Sequence, residues 1–176
     1  LKLAPKNGVG VEIGVFTGKF SEVLYEVTKP SKLYLVDVWH LHYGETFPDW
    51  GYYTASGKLT TAGALSAAKL RAAQMNGTAE VVIETSAKWL ASMPPHSLDW
   101  AYIDSLHNYS GTYAELEALL RVLKPSGVIM GDDCYLDPLH KHHGVFRAVR
   151  DHAARGALEV IWMDGANQWA MRRRTS

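Results

Sequence analysis

Short apolar runs of strand length recur along this chain, each followed by a stretch whose apolar residues return at helical spacing. The strand-length runs are Val9 to Val15, Leu33 to Val38, Ala79 to Glu84, Leu98 to Asp104 and Val128 to Met130. Phe20, Val23, Leu24 and Val27 mark the first helix at i, i+3, i+4 and i+7. Thr60 to Met75 reads as an Ala- and Leu-rich helix stopped by Asn76-Gly77, and Ala87 to Met93 as a shorter one. Tyr113, Leu116, Leu120 and Leu123 line the next, which Lys124-Pro125-Ser126-Gly127 terminates, and Val145 to Ala154 forms the last. Leu158 to Met163 and Gln168 to Met171 close the chain as an antiparallel pair around Asp164-Gly165. Repeated strand–helix units specify an α/β fold, a doubly wound, mostly parallel sheet covered on both faces. The 176 residues make one domain, 1–176, large enough to bury about 70% of its unfolded surface.

Two of these runs end in acids. Leu98 to Ile103 stops at Asp104, and Gly127 to Gly131 stops at Asp132-Asp133. In an open α/β sheet the ligand crevice lies outside the carboxyl ends of the strands. As neighbouring parallel strands, the two runs would bring three carboxylates to one point. Two carboxylates about 4 Å apart repel by about 4 kcal/mol at an effective dielectric near 20. The runs carry no base to offset this, so a hard divalent ion such as Mg²⁺ suits Asp104, Asp132 and Asp133.

Eighteen basic and eighteen acidic side chains cancel. The chain therefore lacks the charge excess of a nucleic-acid or membrane-surface binder. Arg172-Arg173-Arg174 reads as a solvated tail. No run approaches the eighteen apolar residues of a membrane helix, and no signal peptide opens the chain. Cys134 has no second cysteine to pair with, which fits a reducing, cytoplasmic setting. The chain enters its first strand almost at once, which suggests a preceding segment.

Glu12-Ile13-Gly14-Val15-Phe16-Thr17-Gly18 joins the first strand to the first helix. Gly14 permits a tight turn, and Gly18 stands at a helix start, where free N–H groups point at a ligand. The spacing is neither the dinucleotide G-x-G-x-x-G nor a phosphate loop. Asp37, 23 positions beyond Gly14 at the end of the second strand, is placed to accept the ribose hydroxyls of an adenosine ligand. A nicotinamide-dependent oxidoreductase and a non-catalytic adenosine-binding module remain alternatives on such a fold.

Four segments together resemble a known family: Glu12-x-Gly14-x-Phe16-x-Gly18; Leu35-Val36-Asp37; Ile103-Asp104-Ser105-Leu106-His107-Asn108-Tyr109; and Leu123-Lys124-Pro125-Ser126-Gly127-x-Ile129-x-Gly131-Asp132-Asp133. They look like class I S-adenosylmethionine-dependent methyltransferases, and within these the metal-dependent, macrocin-type sugar O-methyltransferases. The resemblance implies a Rossmann-like seven-stranded sheet of order 3-2-1-4-5-7-6 with one antiparallel strand. It also implies S-adenosyl-L-methionine as cofactor. Glu12, Gly14 and Gly18, with the turn residues Phe16 and Thr17, would line its methionine end and Asp37 its ribose. Thr85-Ser86-Ala87 would approach the adenine, and Asp104 belongs to the same pocket. Asp104, Asp132 and Asp133 match the family's metal acids, and His107 matches a proposed general base. Ser126 replaces the usual glycine, and the N-terminal extension of larger relatives is absent from this sequence.

The chemistry implied is methylation of a hydroxyl on a small molecule, of sugar or natural-product type. A metal ion would lower the hydroxyl's pKa and His107 would take its proton. Two clusters invite other readings. Adjacent histidines in His140-Lys141-His142-His143 cannot all face one ion, so this segment reads as a solvated or substrate-facing loop. Trp39 to Leu59 is a long connection rich in aromatics: Trp39, Tyr43, Phe47, Trp50, Tyr52 and Tyr53. It suits a lid over the substrate or a surface against a second copy in a homo-oligomer.

Overall fold

The computed structural model describes residues 1–174. Seven strands form one sheet: β1 (Val9–Ile13), β2 (Lys32–Asp37), β3 (Ala79–Ile83), β4 (Leu98–Ile103), β5 (Leu123–Gly131), β6 (Leu158–Met163) and β7 (Trp169–Arg173). Their spatial order is β3-β2-β1-β4-β5-β7-β6. Pairing is parallel from β3 across to β5, and β7 runs antiparallel to both β5 and β6. The helices are α1 (Lys19–Thr28), α2 (His40–Tyr43), α3 (Thr61–Ala73), α4 (Ser86–Ser92), α5 (Tyr109–Val122) and α6 (His143–Ala154). Among the described residues no helix is long and apolar enough to cross a membrane.

Each sheet face has its own core. Val11, Ile13, Ala101, Ile103 and Ile129 meet Trp89 and Leu90 of α4, Leu116 and Leu119 of α5, and Val145 and Val149 of α6. On the other face Leu33, Leu35, Trp100, Tyr102 and Met130 meet Leu24 of α1 and the Ala64, Ala68 and Ala72 stripe of α3. Small residues let α3 come close: a Cβ on Gly18 would stand 3.1 Å from the Ala68 Cα. Gly10 makes a similar close approach. Its register partner is Trp100, whose buried indole lies where a Gly10 side chain would be.

Three local expectations change. The buried face of α1 is Ser21, Leu24 and Thr28, while Val23 and Val27 are 45% and 36% exposed. Apolar periodicity misleads here because both buried polar groups are satisfied: Ser21 Oγ donates to Glu12, and Thr28 Oγ1 donates to the Leu24 carbonyl at 2.8 Å. Lys124 to Gly127 is strand, not a helix-terminating loop, because Leu123 already pairs with Leu98 and Lys124 Nζ grips Asp99 at 2.8 Å. Arg172 and Arg173 are not a free tail: both lie in β7, and Arg172 Nε bonds Glu159 at 2.7 Å.

One buried acid ties two loops at the carboxyl edge together. Glu115 of α5, 3% exposed, accepts from Ser86 Oγ at 2.7 Å and from Ser105 Oγ at 2.8 Å. It thereby joins the start of α4 to the loop after β4. Burial raises the Glu115 pKa, although the two serine hydroxyls and His107 favour its charged form.

Two outcomes follow from this packing. Gly10→Ala should cost about 1–3 kcal/mol in urea unfolding, because the Trp100 indole must shift. Combined with Trp100→Phe it should cost less than the sum of the two, and strict additivity would show that the indole is not the obstacle. For Glu115, a raised folded pKa contributes stability below the unfolded value of about 4.3 that is lost as pH rises through the folded value. The melting temperature of Glu115→Gln should therefore gain on the wild type from pH 5 to pH 8, and a constant difference would contradict the buried charge.

Candidate functional site

The parallel register brings four strand ends level. Gly14 N–H donates to the Val36 carbonyl at 3.0 Å, Asp104 N–H to Ile13 at 2.8 Å, and Asp132 N–H to Ile103 at 3.3 Å. Asp37, Gly14, Asp104 and Asp132 thus share one row along the carboxyl edge. Glycine is required in its middle: Gly14 has φ +91°, and a Cβ there would stand 1.9 Å from the Asp104 carbonyl oxygen.

Asp37 builds the turn that follows β1. Its Oδ2 accepts from Val15 N at 2.8 Å and Phe16 N at 2.7 Å, and its Oδ1 from Val38 N at 2.6 Å. Gly18 takes φ +78° as the N-cap of α1. Thr17 offers its carbonyl to Arg71 Nη1 at 3.1 Å, which anchors the turn to α3. The first half of the Trp39–Leu59 segment packs on the same turn. Trp39, fully buried, donates its indole N–H to the Phe16 carbonyl at 2.8 Å. Phe47 meets Phe16 edge-on with centroids 5.0 Å apart, and Tyr43 and Trp50 pack around Phe47. Trp50, Tyr52 and Tyr53 remain 45%, 96% and 76% exposed.

Glu12 is the most deeply placed acid, 1% exposed, with Ser21 its hydroxyl donor. Burial pushes its pKa well up, and the charges of Asp104 and Asp37 push the same way against the Ser21 bond. Asp132 is also raised, first by burial and then by Asp104 and Asp133, against the N–H of Asp133 that bonds its Oδ1 at 2.7 Å. Lys and Arg ion pairs among the described residues lie elsewhere and reach none of Glu12, Asp37, Asp104, Asp132 and Asp133. Ser86, the first residue of α4, turns its hydroxyl toward Glu115.

Histidines meet the acids instead. His107 Nε2 lies 2.9 Å from Asp104 Oδ1 and 3.5 Å from Asp133 Oδ2. Burial disfavours its charged form, but the Asp104 hydrogen bond and charge, with Asp133 and Asp132, outweigh burial and raise its pKa. His107 and Asp133 both hold positive φ, 49° and 61°, conformations that persist when surroundings fix them. His142, at the N-cap of α6, reaches Asp133 Oδ2 with Nδ1 at 3.0 Å. That N–H is out of hydrogen-bonding alignment, and Nδ1 is buried without another partner. Burial lowers the His142 pKa, against the pull of Asp133.

Among the described residues, His107, Asp133 and His142 form the group of three donors that all lie within 4.8 Å of one another. Asp104 and Asp132 lie outside that group, although the charges of Asp104 and Asp133 both act on Asp132. His142 was not legible as a site residue, because a run of adjacent histidines does not say which one faces inward. Its neighbours face elsewhere: His140 stacks on Tyr135 at 3.5 Å, and His143 Nδ1 lies 3.0 Å from the Tyr135 carbonyl. Cys134, buried with its thiol pKa pushed up to about 12 by burial, is unsuited to act as a nucleophile.

No protein of curated function matches the sequence. Among solved structures, an SAH-bound methyltransferase of Podospora anserina is similar over 95% of this chain and 72% of its own, with 11% identity and a TM-score of 0.68. A cofactor-bound protein from MTB is similar over 97% and 75%, with 14% identity and a TM-score of 0.64. A SAM-dependent methyltransferase from Aquifex aeolicus is similar over 96% and 81%, with 14% identity and a TM-score of 0.58. These likenesses establish a shared fold. The family model described as a methyltransferase domain matches residues 11–134, from β1 through the acids after β5, and the chain belongs to that methyltransferase family.

Proposed function

We propose that this methyltransferase transfers the methyl group of S-adenosylmethionine to a hydroxyl of a small acceptor of sugar or natural-product type. The observation that carries the cofactor is the row of acids at the strand ends that no Lys or Arg neutralises. S-adenosylmethionine brings a sulfonium and an ammonium, the counter-charges such a row lacks. Glu12, Gly14, Phe16, Thr17 and Gly18 surround its methionine end, and Asp104 lies beside it. Asp37 already accepts three backbone N–H groups. A carboxylate offers about four lone-pair sites, which leaves one for a ribose hydroxyl. The backbone around Ser86 borders the adenine. The SAH-bound solved structure, and the one named as SAM dependent, support the same cofactor.

His107 is the base. With Nε2–H donating to Asp104 at 2.9 Å, the imidazole is held in the tautomer whose Nδ1 lone pair is free. As the acceptor oxygen attacks, the O–CH₃ bond forms, the S–CH₃ bond breaks and the hydroxyl proton passes to Nδ1. Asp104 stabilises the imidazolium and thereby acts through His107. The sugar-type acceptor rests on the combined Ile103–Tyr109 and Leu123–Asp133 motifs, which resemble the macrocin-type enzymes.

Mg²⁺ does not fit the donors as they stand. It favours a near-octahedral shell of oxygens. Here the His107 imidazole stands against both Asp104 and Asp133, and Asp132 Oδ1 is engaged by a backbone N–H. No step above passes through a metal.

Calorimetry should show binding of S-adenosylhomocysteine and none of NAD. Binding of NAD alone would replace this reading with the oxidoreductase one. His107→Ala should lower kcat by about 10²–10⁴-fold, the usual contribution of a general base, while leaving the S-adenosylhomocysteine affinity nearly unchanged. Full turnover by His107→Ala would remove His107 from the chemistry.

A further inference from the structure

The geometry points to a site for one divalent transition-metal ion of the zinc class, held by His107 Nε2, Asp133 Oδ2 and His142 Nδ1. Ligands about 2.0–2.1 Å from a tetrahedral Zn²⁺ stand about 3.3 Å from one another. Asp133 Oδ2 lies 3.0 Å from His142 Nδ1 and 3.5 Å from His107 Nε2, on either side of that value. One donor atom from each of the three residues falls within 4.8 Å of the other two. Two imidazoles and one carboxylate suit zinc and its borderline neighbours, not a hard ion that demands oxygen.

The poor alignment at His142 supports this reading. A buried imidazole nitrogen 3.0 Å from a carboxylate oxygen normally donates to it, yet Nδ1 and Oδ2 are not in line for that bond. An ion between the two lone pairs would engage both at once. The donors also come from well-fixed positions. Asp133 follows the end of β5, His107 lies between β4 and α5, and His142 caps α6, which is buried through Val145, Ala148 and Val149. Three protein ligands leave a fourth position open to water or a ligand oxygen.

One consequence rests on the proposed function. An ion on Nε2 forces the His107 proton onto Nδ1, the atom that must otherwise take the acceptor's proton. Metal occupancy and base action at His107 are then mutually exclusive, so zinc would inhibit and a chelator would restore activity.

The test of the site itself needs neither cofactor nor turnover. Chelator-treated protein is titrated with ZnCl₂ and with MgCl₂ by calorimetry, and with CoCl₂ by visible absorption. We expect one Zn²⁺ per chain, the intense bands of four-coordinate Co²⁺, and much weaker Mg²⁺ binding. His142→Ala should lose at least about tenfold in zinc affinity, since even changes outside the ligand shell cost about 10–100-fold. Its circular dichroism should match the wild type, and zinc should raise the melting temperature of the wild type alone. Asp132→Asn should keep the site. Absent stoichiometric zinc, undiminished zinc binding by a folded His142→Ala, or loss of zinc and gain of Mg²⁺ dependence through Asp132 would each overturn the proposal. Zinc binding without zinc inhibition would leave the site standing and remove His107 as the base.

Discussion

Negative charge gathered along one sheet edge is the constraint around which the rest of this structure is arranged. Four neighbouring strands, β2, β1, β4 and β5, bring Asp37, Glu12, Asp104 and the Asp132-Asp133 pair to their carboxyl ends. Left alone, such charges about 4 Å apart would cost about 4 kcal/mol per pair at an intermediate dielectric. The chain offsets this differently at each acid. Asp37 is solvated by three backbone N–H groups, so its charge is spent on shaping the turn. Glu12 has only the Ser21 hydroxyl and responds by holding its proton more tightly. Asp104 and Asp133 recruit histidines, whose charge is adjustable where that of Lys or Arg is fixed. An edge organised this way is ready for a cationic ligand.

The sheet was legible in the sequence because its signal is strong and local. Apolar runs separated by helical periodicity mark strands and helices, and glycine and acid at strand ends mark the crevice. The seven strands and their order are as expected, with β7 the one antiparallel strand. What misled was polarity inside the core. On α1, Ser21 and Thr28 are buried because each hydroxyl has a partner, and no periodicity computed from apolar residues can show that. At the site, the proximity of acids in sequence says nothing about where their oxygens point. Asp132 turns one oxygen back to the next N–H, while His142, at the far end of the same connection from β5 to α6, reaches Asp133. Such side-chain directions follow from loop conformations: His107 and Asp133 both adopt the left-handed region, which Asp and His enter more readily than most residues but which residue type alone does not assign to a position.

The long aromatic segment is two things joined end to end. Its first part is structural. Trp39 holds φ 35°, an uncommon value for a large side chain, and is fixed there by full burial and by its bond to the Phe16 carbonyl. Phe16 is itself at φ 55° and is held by Asp37 through its N–H and by Phe47 through its ring. Each strained residue is thus restrained by the other's loop, and the turn keeps its shape through a closed circuit from Asp37 to Phe16 to Trp39 and back along the chain. Strain of about 1–3 kcal/mol per residue persists only when surroundings over-determine it, and this circuit supplies that. Trp50, half-exposed, still packs against Phe16 and Phe47, and the second part begins beyond it with Tyr52 and Tyr53, which stand exposed. Because the turn does not depend on the Tyr52 and Tyr53 rings, these can meet another surface without disturbing it.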